Sequence, residues 1–142
     1  MNQTAIQSIK GCSYTDDRGS IFYNNELDFS VIKKMYLIEN KDLAVVRAWQ
    51  GHRIESRWFL VTAGSFCIRI VKVDDWQNPS DDLAVSEYTI SASTFDVLKV
   101  PPGFATSIQA LENQSKLLAM SDHAHAEVDD NYKFNSNKWQ KI

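Results

Sequence analysis

No part of this 142-residue chain carries apolar residues at the 3.6-residue period of an amphipathic helix. Its apolar residues come in short runs, rich in β-branched and aromatic side chains and divided by turn signals. This pattern excludes a helical bundle or an alternating α/β sheet and predicts an all-β fold. The runs place strands at 19–23, 34–39, 44–50, 55–63, 65–74, 86–91, 95–100, 105–110 and 115–121. In SFCIRIVKV, Phe66, Ile68 and Ile70 share one face while Cys67, Arg69, Val71 and Val73 share the other. Neither face is purely polar, as expected of a strand that lies between two layers or lines a barrel. Evenly spaced strands over about 110 residues fit a sandwich or a jelly-roll β-barrel.

A chain of 142 residues is the size of one domain, 1–142, with one core. Only the tail DNYKFNSNKWQKI, from about residue 130, turns polar and reads as an extended or short helical appendage. The net charge of -3 is too small for a protein built to grip nucleic acid. The N-terminus lacks a basic start followed by an apolar run, and nothing approaches the ~20 apolar residues of a membrane helix. A cytoplasmic protein with no membrane or nucleic-acid partner is expected. Cys12 and Cys67 stand alone, without a CxxC or a neighbouring His, and are expected to be buried free thiols.

Polar chemistry gathers in RAWQGHRIESRWFLVTAG, residues 47–64. Gln50 and His52, two apart on a strand, project to the same side, aiming an amide and an imidazole into the interior. The alternative is a solvated His52 at a strand end. Arg57 has the period to point with Glu55 and Phe59, and a cation inside a small barrel must meet an anion or a ligand. Pairing with Glu55 on the surface is the other reading. In SDHAHAEVDD, residues 121–130, His123 and His125 make a weak metal pattern and read as solvated loop residues. Asp122, the last residue on its strand, is placed to meet an imidazole on a neighbouring strand, and such a dyad raises the ring's basicity. VPPGFATSIQAL reads as a structural corner.

Five segments, DDRGSI (16–21), VVRAWQGHR (45–53), RWFLVTAGSFCIRIVKVDD (57–75), VLKVPPGFATSIQAL (97–111) and SKLLAMSDHAHAEVDD (115–130), resemble one family in order and spacing. It is the branch of the cupins (RmlC-like and WxcM-like) that contains dTDP-4-dehydrorhamnose 3,5-epimerase and the dTDP-sugar 3,4-ketoisomerases. The resemblance covers nearly the whole chain. It implies a jelly-roll β-barrel, usually a homodimer sharing edge strands, with a nucleotide-sugar pocket in each barrel.

Carried over by residue, the resemblance gives Arg47 as a diphosphate contact, Arg18 as an arginine that reaches the nucleotide, often from the partner subunit, and Arg57 as a basic residue facing sugar or phosphate. Arg53 joins them as a further binding candidate. Where the ketoisomerases have RGxHAH this chain has RAWQGH, so Gln50 stands for the first histidine and His52 for the second. The epimerase base would also stand at Gln50, with Asp122 as the aspartate that orients it. The epimerase tyrosine falls at or near Leu118, and Tyr36 resembles the tyrosine of the ketoisomerases. Against the metal-dependent cupins, Gln50 and Thr106 replace two histidines, so no metal and no other cofactor are expected.

The implied activity is epimerisation or keto isomerisation of a dTDP-4-keto-6-deoxyhexose in surface-polysaccharide or deoxysugar biosynthesis. His52 would be the base, Tyr36 the proton donor and Gln50 a hydrogen-bond donor to the oxyanion. Two alternatives stand beside it: a nucleotide-sugar-binding cupin that has lost part of the acid/base machinery, and a structural or partner-binding barrel whose arginines are surface charges.

Overall fold

The computed structural model describes residues 5–139, and these form twelve strands, a single 3-10 turn and no α-helix. One five-stranded sheet has the order β1 (Gln7–Ile9), β9 (Val97–Val100), β6 (Arg57–Ala63), β11 (Lys116–Ser121) and β4 (Lys34–Ile38). The other has the order β12 (Tyr132–Lys133), β5 (Val46–His52), β10 (Phe104–Ala110), β7 (Ser65–Lys72) and β8 (Val85–Ser91). β2 (Cys12–Asp16) and β3 (Gly19–Tyr23) make a separate hairpin. The sheet pairings are antiparallel, and apart from β7–β8 they join strands distant in sequence, so the chain crosses repeatedly between the two sheets. The fold is all-β.

The two sheets meet through their apolar faces. Phe59, Val61, Leu98, Val100, Leu117 and Ala119 from the first sheet pack against Phe66, Ile68, Ile70, Ile108 and Ala110 from the second. Each large side chain so buried contributes roughly 1.5–3 kcal/mol. The outer faces are covered as well: Leu27 packs on Trp58, Leu60, Val97 and Met120 behind the first sheet, and Trp139 packs with Trp49, Val71, Val73 and Ala105 behind the second. Double burial explains why β7 shows no polar face. Between β6 and β7 the chain turns on Gly64 at φ +72°, where a Cβ would fall 2.0 Å from the Ser115 hydroxyl oxygen.

The nine strands expected from the apolar runs all form, with ends shifted by a few residues; β1, β2 and β12 were not anticipated. Cys67 is buried and free, but Cys12 is exposed, contrary to expectation, because no layer covers the β2–β3 hairpin on which it lies. Beyond Asp129, β12 adds to the edge of β5, and the Trp139 indole donates to the Ser80 carbonyl at 2.7 Å. No helix among the described residues is long and apolar enough to cross a membrane.

Candidate functional site

A cavity of about 740 Å³ opens between the sheets, with β4 and β6 on one wall and β5, β10 and β12 on the other. Its polar lining is set by an irregularity in β5. Thr106 pairs with Gln50 while Ile108 pairs with Arg47, so Ala48 and Trp49 together oppose Ser107. This extra residue resets the alternation. Arg47, Gln50 and His52 all border the cavity, while Trp49 packs behind the sheet against Trp139, ring centroids 5.4 Å apart. Between Gln50 and His52 only glycine fits, because a Cβ on Gly51 would lie 2.7 Å from the Trp76 ring.

His52 is buried, 6% exposed, and is not the solvated strand-end residue of the alternative reading. Its Nδ1 lies 2.9 Å from the backbone carbonyl oxygen of Asp130. A carbonyl only accepts, so Nδ1 carries the proton and Nε2 is left as the basic nitrogen of the neutral ring. Burial, and next the charge of Arg57, hold the imidazole below its ordinary 6.5 against the pull of Glu55 and Asp130. The ring is therefore a neutral base at pH 7.

Asp130, itself fully buried, spends its carboxylate on the turn that follows: Oδ1 accepts from the Arg53 N–H, and Oδ2 from the N–H groups of Ile54 and Glu55 at 2.9 and 2.8 Å. The loop that carries Glu55 is thereby pinned beneath His52. Glu55 accepts from the Ser121 hydroxyl at 2.5 Å and pairs with Arg57 Nη2 at 3.2 Å and Lys34 at 3.3 Å. Burial pushes its carboxyl up, but Ser121, Arg57, His52 and Lys34 together outweigh burial and hold it below its ordinary 4.5. His52, Glu55 and Asp130 each bring a ligand-type atom within 4.8 Å of the others. His52 Nδ1 and the Asp130 carboxylate are engaged by backbone groups, while Ser121, Arg57 and Lys34 all meet Glu55 Oε1 and leave Oε2 4.0 Å from His52 Nδ1, so the trio braces the floor of the cavity.

Arg57 is 5% exposed. Its partner is Glu55, as one reading of the sequence had it, but the pair is internal and borders the cavity. Its Nη1 donates to the Tyr36 phenol oxygen at 2.6 Å, and its Nε–H has no acceptor. Because the phenol oxygen accepts from the guanidinium, the Tyr36 O–H remains free to donate. Arg47 differs: it is exposed, borders the cavity mouth, and spends only Nε, on the Asn40 side chain at 2.6 Å. Gln50 donates from Nε2 to Asn131 Oδ1 at 3.1 Å.

The structure brings His52, Gln50, Tyr36, Arg47 and Arg57 to one cavity. Three other candidates do not line it. Asp122 accepts from the Ser56 N–H and contacts His123 Nδ1 at 2.9 Å, and the carboxylates near His52 are those of Asp130 and Glu55. The exchange has a simple cause: β11 ends at Ser121, whose own hydroxyl takes the place facing Glu55. Arg53 is exposed, and Arg18 sits on the β2–β3 hairpin, paired with Asp16 at 2.7 Å. Asp130, Glu55, Asn131 and Lys133 were not named as site residues. Glu55 had a signal, an acid two residues from a cation on one strand face, whereas Asp130 lay in a tail read as an appendage.

No protein-family model matches this chain, and no curated protein matches it. Solved structures do. A dTDP sugar isomerase from Desulfovibrio desulfuricans G20 superimposes with a TM-score of 0.75 at 18% identity, covering 93% of this chain and 85% of that one. A dTDP-4-dehydrorhamnose 3,5-epimerase from Bacillus anthracis, solved with TDP and pyrophosphate bound, gives 0.75 at 17% identity, covering 96% and 82%. A mutant of the 3,4-ketoisomerase QdtA from Thermoanaerobacterium thermosaccharolyticum, in complex with TDP-4-keto-6-deoxyglucose, gives 0.71 at 19%, covering 92% and 88%. The backbone of this chain thus follows the plan of these three over most of its length: this protein has the fold of the dTDP-sugar isomerases and epimerases.

Proposed function

We propose that this protein is a sugar-nucleotide epimerase or 3,4-ketoisomerase that moves a proton beside the ketone of a dTDP-4-keto-6-deoxyhexose, within surface-polysaccharide or deoxysugar biosynthesis. The observation that carries this reading is the pairing of a proton acceptor and a proton donor across one cavity: His52, with Nε2 unprotonated, on β5, and Tyr36, with its O–H free, on β4. Chemistry next to a ketone needs a base, a donor and polar groups for the enediolate oxygen. His52 takes the C–H proton. The oxygen is met by the second amide hydrogen of Gln50. Tyr36 returns a proton. Arg47 at the mouth holds the diphosphate through its two free terminal nitrogens.

In this reading the sheets form a jelly-roll barrel and one cupin domain. The protein is a cytoplasmic homodimer, and the exposed Met35 and Leu37 of edge strand β4, together with the β2–β3 hairpin, lie at the subunit contact. Arg18 and Arg53 do not line the cavity of their own chain and act in this reading through a partner subunit.

The test is proton exchange. The protein is incubated with dTDP-4-keto-6-deoxyglucose in deuterated water and the ring protons are followed by NMR. Loss of the C3 or C5 signal that requires His52 is the expected outcome. Tight binding of dTDP with no exchange would leave the non-catalytic binding module, which the uncharged Gln50–Asn131 pair at 3.1 Å also fits.

A further inference from the structure

Two cationic side chains of the cavity besides Arg57 reach it from the second sheet: Arg47 on β5 and Lys133 on β12. Lys133 pairs in register with Gln50, and residues paired across antiparallel strands share a face, so the lysine sits beside the amide on the cavity side. It is exposed and has no ion pair or side-chain hydrogen bond among the described residues. Other lysines are spoken for: Lys34 pairs with the buried Glu55, and Lys138 with the exposed Asp81. The Arg57 guanidinium, by contrast, is neutralised internally by Glu55 and has both terminal nitrogens engaged.

We propose that Lys133 is an anion-binding residue of this cavity and that it, rather than Arg57, completes with Arg47 the clamp for a ligand's diphosphate. The inference rests on the nucleotide-sugar reading for the identity of the ligand, but not for its charge. A free ammonium on a strand that is otherwise held only by its backbone and by aromatic packing costs nothing to leave solvated. It gains a partner when an anion enters between it and Arg47. The same logic separates two ends of the cavity. The inner end, around Arg57 and Glu55, is electrically balanced, whereas the rim carries Arg47 and Lys133, and the Glu39 carboxylate that also lines the cavity is paired with Lys116 at 3.8 Å.

The consequence is that the C-terminal strand contributes to recognition. Phe134 exchanges two backbone hydrogen bonds with Trp49, at 3.3 and 3.0 Å, which fixes where Lys133 emerges. The polar tail is then part of the binding wall and not an appendage to it.

The test titrates inorganic pyrophosphate and dTDP separately into the full chain and into Lys133→Ala, Lys133→Arg and Lys41→Ala, by calorimetry or NMR. Lys41 is exposed and does not border the cavity, so its variant removes the same charge elsewhere. Lys133→Ala is expected to weaken both ligands about tenfold, as befits one lost charge-assisted contact. Lys133→Arg should retain most of the affinity and Lys41→Ala all of it. If the full chain binds dTDP and Lys133→Ala matches it or Lys41→Ala, the assignment of Lys133 is overturned while the nucleotide reading stands. If pyrophosphate binding depends on Lys133 but dTDP binds no more tightly than pyrophosphate, the clamp stands and the nucleotide reading is overturned. If neither anion binds the full chain, both are overturned. Unchanged thermal unfolding of the variants shows that affinity, not folding, was altered.

Discussion

Arg57 and Arg47 face the same cavity from opposite sheets, and the protein holds them in opposite ways. Arg57 is almost wholly buried; Glu55 balances its charge and Tyr36 fixes its plane. Arg47 is exposed, and its guanidinium hydrogen-bonds among the described residues to Asn40 alone. A buried cation must be compensated before any ligand arrives, and one so compensated has little charge left to offer. A rim cation is hydrated, cheap to keep and free to bind. The contrast teaches that cations which look equivalent in a sequence divide into structural and ligand-seeking kinds according to what already surrounds them.

Each half of that contrast can be broken separately. The largest effect is expected at the buried end: His52→Ala should lower the rate of proton exchange about 10³-fold, the usual range for loss of a general base, with dTDP affinity held. Equal rates in the variant would remove His52 from the chemistry. Next, Glu55→Ala leaves Arg57 buried without its carboxylate and should cost about 3 kcal/mol by denaturant unfolding. A change below about 1 kcal/mol would mean that Arg57 finds water or another partner and is not structurally committed.

The same buried cluster sets a pH dependence. His52 titrates below its unfolded value of 6.5, so its stabilising contribution is complete above 6.5 and is lost as pH falls through the lower folded value. Glu55 titrates below its unfolded 4.5, so its contribution is complete above 4.5 and disappears on further acidification. Stability measured in urea should therefore decline in two stages on the acid side. His52→Gln should flatten the stage just below 6.5 and leave the one below 4.5. The smallest effect on the fold belongs to the rim: Arg47→Ala should change stability by less than about 0.5 kcal/mol yet weaken dTDP roughly tenfold. A rim arginine whose loss unfolds the protein would erase the distinction.

The sequence carries the layered β architecture in its short apolar runs, and the doubly apolar SFCIRIVKV already implies burial from both sides. The N-terminal strand CSYTD leaves no such pattern, because it pairs with GSIFY in a hairpin and has no buried face. At the site, Gln50 and His52 follow strict alternation and were legible. Arg47, three residues from Gln50, shares their side only because the irregularity at Ala48 and Trp49 shifts the register by one. The family resemblance had proposed Arg47 where alternation alone would have turned it away. Asp122 was preferred to Asp130 because it closes an apolar strand; nothing local to the polar tail announces that its backbone carbonyl and carboxylate will brace the loop after β5.

Gly51 leaves the cavity wall one backbone thick, with the Trp76 ring against its outer side. Trp49 and Trp139 belong to the same cluster, so three of the four tryptophans report on a single sheet face, and only Trp58 lies elsewhere. The molecule thus contains its own optical gauge of occupancy. A ligand that presses on Gln50, His52 or Lys133 disturbs the strands on which these indoles rest, and the change in ultraviolet emission can be followed without attaching any label.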